Sequence, residues 1–162
     1  MTRTIQGSQT PTEYRVRAVN TRAGARIETA SEVIAFDAEW PSSGVARLPG
    51  PADLLASALA ACLLKNVERC AELMPFRYTR AAVDVTASRQ DRPPRFVHFH
   101  FRLDLVTEEP ARRLELLHTN LRRYGTVYNT LASVCEIDGE VVASPASAET
   151  TAASTTAAQD RT

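Results

Sequence analysis

The sequence predicts an α+β fold, and three observations carry that prediction. Apolar and polar residues alternate with period two in several separate stretches, the mark of half-buried strands. One long Ala/Leu-rich stretch beginning at Gly50-Pro51 has helical character instead. The inferred order is three strands, a long helix, two strands, one or two helices and a last strand. It lacks the regular strand–helix alternation of a parallel α/β sheet, so antiparallel pairing is expected.

The elements follow from local chemistry. Tyr14 to Ala18 and Ala25 to Thr29 alternate, with a turn-like Asn20 to Gly24 between them, which predicts a hairpin. Glu32 to Phe36 is a candidate third strand. Trp40 to Gly50 holds two Pro and two Gly and is expected to be a loop. Pro51 then suits a first helical turn, where its missing N–H has no intrahelical partner, and Asp53 suits the positive end of the helix dipole. This helix is expected to run to about Met74, where Pro75 stops it. Its first half is apolar all round, so burial on nearly every side is predicted. Ala81 to Ser88 reads as a strand and Gln90 to Pro94 as a turn. In the strand Phe96 to Val106, Val97, Phe99, Phe101, Leu103 and Leu105 fall on one face, and His98, His100, Arg102 and Asp104 on the other. Ala111 to Tyr124 is helical, with Gly125 as its C-cap. Thr126 to about Ala132 suits a short helix, and Cys135 to Val142 a closing strand.

The chain has 162 residues and a mass of 17.7 kDa, which fits one domain. The polar residues 1–11 are expected to be a flexible N-terminus, residues 12–143 the folded domain, and the Ala/Ser/Thr-rich residues 144–162 a disordered tail. A helix apolar all round in so small a domain needs more cover than one chain supplies, so a homodimer sharing that helix is predicted.

Nineteen basic and nineteen acidic residues cancel, which removes the usual electrostatic case for nucleic acid or an anionic membrane as partner. No apolar run is long enough to span a bilayer. The N-terminus lacks an apolar signal core, so a cytoplasmic location is expected. There is no phosphate-binding glycine loop and no Gly-x-Ser-x-Gly elbow. No cofactor is predicted.

Three cysteines, Cys62, Cys70 and Cys135, read as free thiols. Cys62 lies mid-helix in Ala60-Ala61-Cys62-Leu63-Leu64. It is either a small apolar filler or a thiolate nucleophile, and the second role needs a nearby cation or donor and access for substrate. Arg69 is about 10 Å further along the helix axis and Asp53 about 13.5 Å back on the opposite face, so neither meets Cys62 in a straight helix. Cys70 is about 12 Å along the axis, beyond the roughly 7 Å Cα limit of a disulfide. His98 and His100 share one strand face, but no third metal ligand is evident and an ordinary solvated face explains them, so no metal site is predicted. His118 has no obvious partner.

Two segments carry a family resemblance: Gly50-Pro51-Ala52-Asp53-Leu54-Leu55-Ala56-Ser57-Ala58-Leu59-Ala60-Ala61-Cys62, and Arg122-Arg123-Tyr124-Gly125-Thr126-Val127-Tyr128-Asn129-Thr130-Leu131. The chain resembles the OsmC/Ohr family, the osmotically inducible and organic-hydroperoxide-resistance proteins. The resemblance implies an OsmC-like fold in which antiparallel sheets wrap around paired long central helices in an intertwined homodimer with its active site at the subunit interface. It further implies that Cys62 is the catalytic thiol, which attacks a hydroperoxide and becomes a sulfenic acid. The sequence departs from the family in three places. The family's resolving cysteine falls where Gly125 stands. Its glutamate after the proline is Ala52 here, with Asp53 next. Its activating arginine comes from an N-terminal strand, where Arg15, Arg17, Arg22 and Arg26 are all candidates. A one-cysteine cycle completed by an external thiol or by Cys135 stays open. So does a non-catalytic dimer that binds a small apolar ligand.

Overall fold

The computed structural model describes residues 11–40 and 48–146. The expectations for residues 1–10 and 147–162, and for most of the loop after Trp40, fall outside the described residues. The chain divides into two compact units, one ending at Pro51 and one beginning at Ala52.

The N-terminal unit is a three-stranded antiparallel sheet of β1 (Arg17–Thr21), β2 (Gly24–Glu28) and β3 (Val33–Phe36), in that order. The first hairpin is tighter than the alternation suggests. Thr21 pairs with Gly24, leaving Arg22 and Ala23 as the loop, so Asn20 and Thr21 extend the strand instead of turning. Gly24 takes φ +126°, a conformation that side chains rarely adopt. The Thr21 hydroxyl oxygen accepts the Ala23 N–H at 3.2 Å and pins the loop.

The C-terminal unit begins with α1 (Pro51–Leu73), then β4 (Arg80–Asp91), β5 (Pro94–Val106), α2 (Ala111–Tyr124), α3 (Thr126–Ala132) and β6 (Glu136–Ser144). Helix α1 closes with the Met74 N–H donating to the Cys70 carbonyl at 2.9 Å, just before Pro75. Strands β4 and β5 form a long hairpin around Arg92 and Pro93. A bulge at Ser88/Arg89 leaves Val97 as the extra residue, so Phe96, not Val97, packs against the core. The rings of Phe96 and Phe99 lie 5.3 Å apart.

The expectation of wholly antiparallel sheets is corrected at β6, which pairs with β5 in parallel. The reason is the connection. Helices α2 and α3 carry the chain back between Val106 and Glu136, and a crossover of this kind returns a strand in the same direction as its neighbour. Strand β6 also runs past Val142 to Ser144, where the Thr107 N–H donates to the Ser144 carbonyl at 2.9 Å.

The core of this unit is fully buried at Leu59, Leu63 and Val67 of α1, at Phe99, Phe101 and Leu103 of β5, and at Leu117 and Leu121 of α2. The expectation that the first half of α1 is buried on nearly every side does not hold within one chain. Ala52, Ser57 and Ala61 are exposed, and Leu54, Leu55, Ala58 and Leu64 are only half-buried. A single apolar layer covers one stripe of a helix and leaves the opposite side open.

Candidate active site

Cys62 stands in the middle of α1, half-buried, between the fully buried Leu59 and Leu63. One turn on, Asn66 lies on the same helix face, as the four-residue spacing requires. Asn66 is only 7% exposed. Its side-chain amide Nδ2 donates to the Cys62 carbonyl oxygen at 3.0 Å and reaches Cys62 Sγ at 3.8 Å.

The other wall beside the thiol is the junction of α2 and α3. Gly125 is both the last flanking residue of α2 and the first of α3, with φ −75° and ψ 109°. It stands at the predicted C-cap position but is extended, not left-handed. Any residue can adopt that backbone, so space alone holds the glycine there. A Cβ at position 125 would lie 3.3 Å from Cys62 Sγ and 2.9 Å from both the Leu121 carbonyl oxygen and Tyr128 Cβ. The sulfur therefore faces a helix junction with no side chain at its nearest point. Tyr128, buried beyond it, meets the Phe101 ring edge-on at 6.5 Å, and His118 meets the same ring edge-on at 6.0 Å. Burial and the neighbouring Arg122 charge push the His118 pKa down, which favours its neutral form.

The other two cysteines have different surroundings. Cys70 is buried in the core, and burial pushes its thiol pKa up against the opposing pull of Arg69. The Cys135 thiol donates to the Leu131 carbonyl at 3.1 Å, and burial pushes it up too. All three cysteines are free. The Arg69 guanidinium lies over the Tyr124 ring, 4.2 Å from its centre. Asp53 is in the first turn of α1, as the helix dipole favours. The candidate arginines belong to the N-terminal unit. There Arg15 pairs with Glu13 at 3.1 Å, Arg26 pairs with Glu28 at 2.9 Å, Arg17 opens β1, and Arg22 lies in the hairpin loop.

His98 and His100 do share a strand face, and the parallel register sets His100 opposite Asp138 of β6. Asp138 Oδ1 contacts His100 Nδ1 at 2.6 Å and His98 Nε2 at 3.2 Å. The His100 hydrogen bond, with the charge of both histidines, holds the Asp138 carboxyl below the usual range. Sequence reasoning missed this partner because alternation gives a strand two faces but not the neighbour or register that sets Asp138 beside His100. Among the described residues no group of three or more His, Cys, Asp or Glu side chains is arranged to hold a metal ion, and no helix is long and apolar enough to cross a membrane. Asn66 was also missed. Its only signal was a polar residue four positions after a cysteine in a buried helix.

The fold and this site define a class: a small α+β protein with one thiol set mid-helix against a helix junction. A family model described as OsmC-like protein matches residues 44–140, and the chain belongs to that family. The fold agrees with solved structures of low sequence identity. The OsmC-like protein from Mycoplasma pneumoniae superposes with a TM-score of 0.72 at 19% identity, covering 84% of this chain and 99% of that one. An organic hydroperoxide resistance protein, OsmC, from Legionella pneumophila gives 0.67 at 14% identity, covering 83% and 99%. The organic hydroperoxide resistance protein OhrB of Bacillus subtilis gives 0.59 at 15% identity, covering 82% and 98%. Among curated proteins, none matches this sequence.

Proposed function

We propose that this protein is a thiol-dependent reductase of organic hydroperoxides, acting through Cys62 as a cytoplasmic homodimer in oxidative-stress defence. The observation that carries the reading is the placement of Cys62 Sγ, half-buried on α1 and packed against the side-chain-free Gly125, in a chain of the OsmC family. Organic hydroperoxide resistance proteins are among the structural neighbours.

The chemistry balances with a single protein cysteine. The Cys62 thiolate attacks one oxygen of the hydroperoxide, the O–O bond breaks, and the alkoxide leaves as an alcohol after taking up a proton. Cys62 becomes a sulfenic acid. A first external thiol condenses with it, forming a mixed disulfide and releasing water. A second external thiol attacks that disulfide, leaves with the first as an external disulfide, and returns Cys62 to its thiol form. With glycine at position 125 the nearest point of the junction offers no sulfur, so resolution falls to an external thiol, as in this cycle, or to Cys135.

The exposed and half-buried apolar residues of the first half of α1 support the homodimer. They also favour the alternative reading, a non-catalytic dimer that holds a small apolar ligand. Consumption of cumene hydroperoxide in the presence of a small dithiol separates the two. Cys62→Ser is expected to lower the rate by about 100-fold or more, the scale on which loss of a reacting nucleophile is felt. A rate unchanged in Cys62→Ser excludes the reductase mechanism and leaves the ligand-binding reading.

A further inference from the structure

We infer that Asn66 is the positioning residue of the Cys62 site: its side-chain amide donates to the Cys62 sulfur and steadies the anionic form that reacts. This rests on the reading of Cys62 as the reacting thiol.

Among the described residues, the buried polar side chains are Asn66 and Thr107. Thr107 has an evident structural task. Its hydroxyl donates to the Arg77 carbonyl and accepts the Glu109 N–H at 3.1 Å, which ties the chain after β5. Asn66 is different. It is the polar member of a stripe that otherwise reads Leu59, Leu63, Val67 and Cys70. Asparagine is a poor helix former, and burying its amide costs free energy that an apolar side chain avoids. A bond to the carbonyl four residues back satisfies part of the buried amide, since a carbonyl oxygen accepts a second donor beside the helical N–H, but it uses only one of the two amide hydrogens.

The second contact gives the other hydrogen its partner. The Asn66 amide nitrogen carries two hydrogens. With the nitrogen 3.0 Å from the Cys62 carbonyl oxygen and 3.8 Å from Cys62 Sγ, one amide group bridges the backbone and the sulfur of the same residue. The carbonyl bond fixes the amide, and the fixed amide presents a donor to the sulfur. A donor to an anionic acceptor is worth more than one to a neutral acceptor, so the contact is strongest with the anion that attacks the hydroperoxide. The donor is uncharged and travels with the helix that bears the thiol.

The test is the pH dependence of iodoacetamide labelling at Cys62, followed by peptide mass spectrometry on the intact protein and two variants. Asn66→Leu keeps the size and removes the donor. Asn66→Asp keeps the shape and replaces the donor with a carboxylate. The half-maximal pH of labelling is expected to rise by about one unit in Asn66→Leu, the scale of a lost hydrogen bond to a charged group. A larger rise is expected in Asn66→Asp, where two negative charges oppose each other. Circular dichroism melts report whether each variant is folded, and Asn66→Asp carries the test if Asn66→Leu is not. Labelling profiles that coincide with the unaltered protein in a folded variant overturn the inference. The hydroperoxide assay separates the two readings. If Asn66 moves the profile but the unaltered protein consumes no hydroperoxide, the reductase reading fails and Asn66 stands. If hydroperoxide is consumed identically with and without the Asn66 amide, the reductase reading stands and Asn66 fails.

Discussion

At Gly125 the molecule is decided by the space of one methyl group. A disulfide places each sulfur about 3 Å from the partner Cβ, and a Cβ at position 125 would lie 3.3 Å from Cys62 Sγ. Gly125→Cys is therefore expected to bridge to Cys62 after one equivalent of hydroperoxide, seen as lost free thiols and a linked peptide under non-reducing conditions. The new Cβ also lies 2.9 Å from the Leu121 carbonyl oxygen and from Tyr128 Cβ. The reduced variant should thus be less stable than the parent, by about 1–3 kcal/mol as for other overpacked sites. A variant that stays unbridged shows that Cys62 is not oxidised or that its sulfur cannot turn toward α3. From the residues alone Cys62 reads as filler or nucleophile alike, and only the resemblance, carried by a proline, an acidic residue and an Ala/Leu run leading up to it, points to the second. The sequence made position 125 legible only through resemblance. It hid Asn66, since a polar residue in an amphipathic half-helix reads as solvent-facing until the packing shows otherwise.

Strand β6 is the element whose direction the residue pattern did not reveal. Alternation shows that a strand has two faces, but not which way it runs beside its neighbour. Here the crossover through α2 and α3 sets the direction, and the parallel register then sets Gly139 opposite Phe101. That pairing is tight. A Cβ on Gly139 would lie 2.4 Å from both the Phe101 carbonyl oxygen and its ring Cδ1. A backbone atom cannot swing aside as a flexible side chain does, so Gly139→Ala must push β6 away from β5. The expected loss is about 3 kcal/mol, at the upper end of overpacking costs, measured by urea unfolding. The same register brings Asp138 beneath His98 and His100, so both features follow from a pairing that alternation does not encode. By contrast α1, α2 and α3 were legible nearly to the residue. Pro51, Pro75, Gly125 and the apolar spacing mark their ends chemically, whereas strands end wherever pairing stops.

At the scale of the whole molecule, α1 poses a question that one chain leaves open. Leu54, Ser57, Ala58 and Ala61 recur at three- and four-residue spacing along one side of the helix, and all are exposed or half-buried. An exposed strip of small and apolar residues of this kind marks an interaction surface. The composition that predicted burial on every side still calls for cover, which a second copy of the chain would supply in the proposed homodimer. The small side chains of Ser57, Ala58 and Ala61 suit close approach of another helix, and a small hydroperoxide or apolar ligand would be shielded from water there. Light scattering is expected to give twice the 17.7 kDa chain mass for the unaltered protein. Ala61→Glu adds a carboxylate where a dimer would bury it without a partner, at a cost that an exposed site does not bear. The variant should give the mass of one chain while keeping its helical circular dichroism, because Ala61 is exposed within the single chain. A single-chain mass for the unaltered protein overturns the dimer. A dimer that survives Ala61→Glu moves the interface away from this side of α1, and Cys62, one residue on, would then not lie beside it.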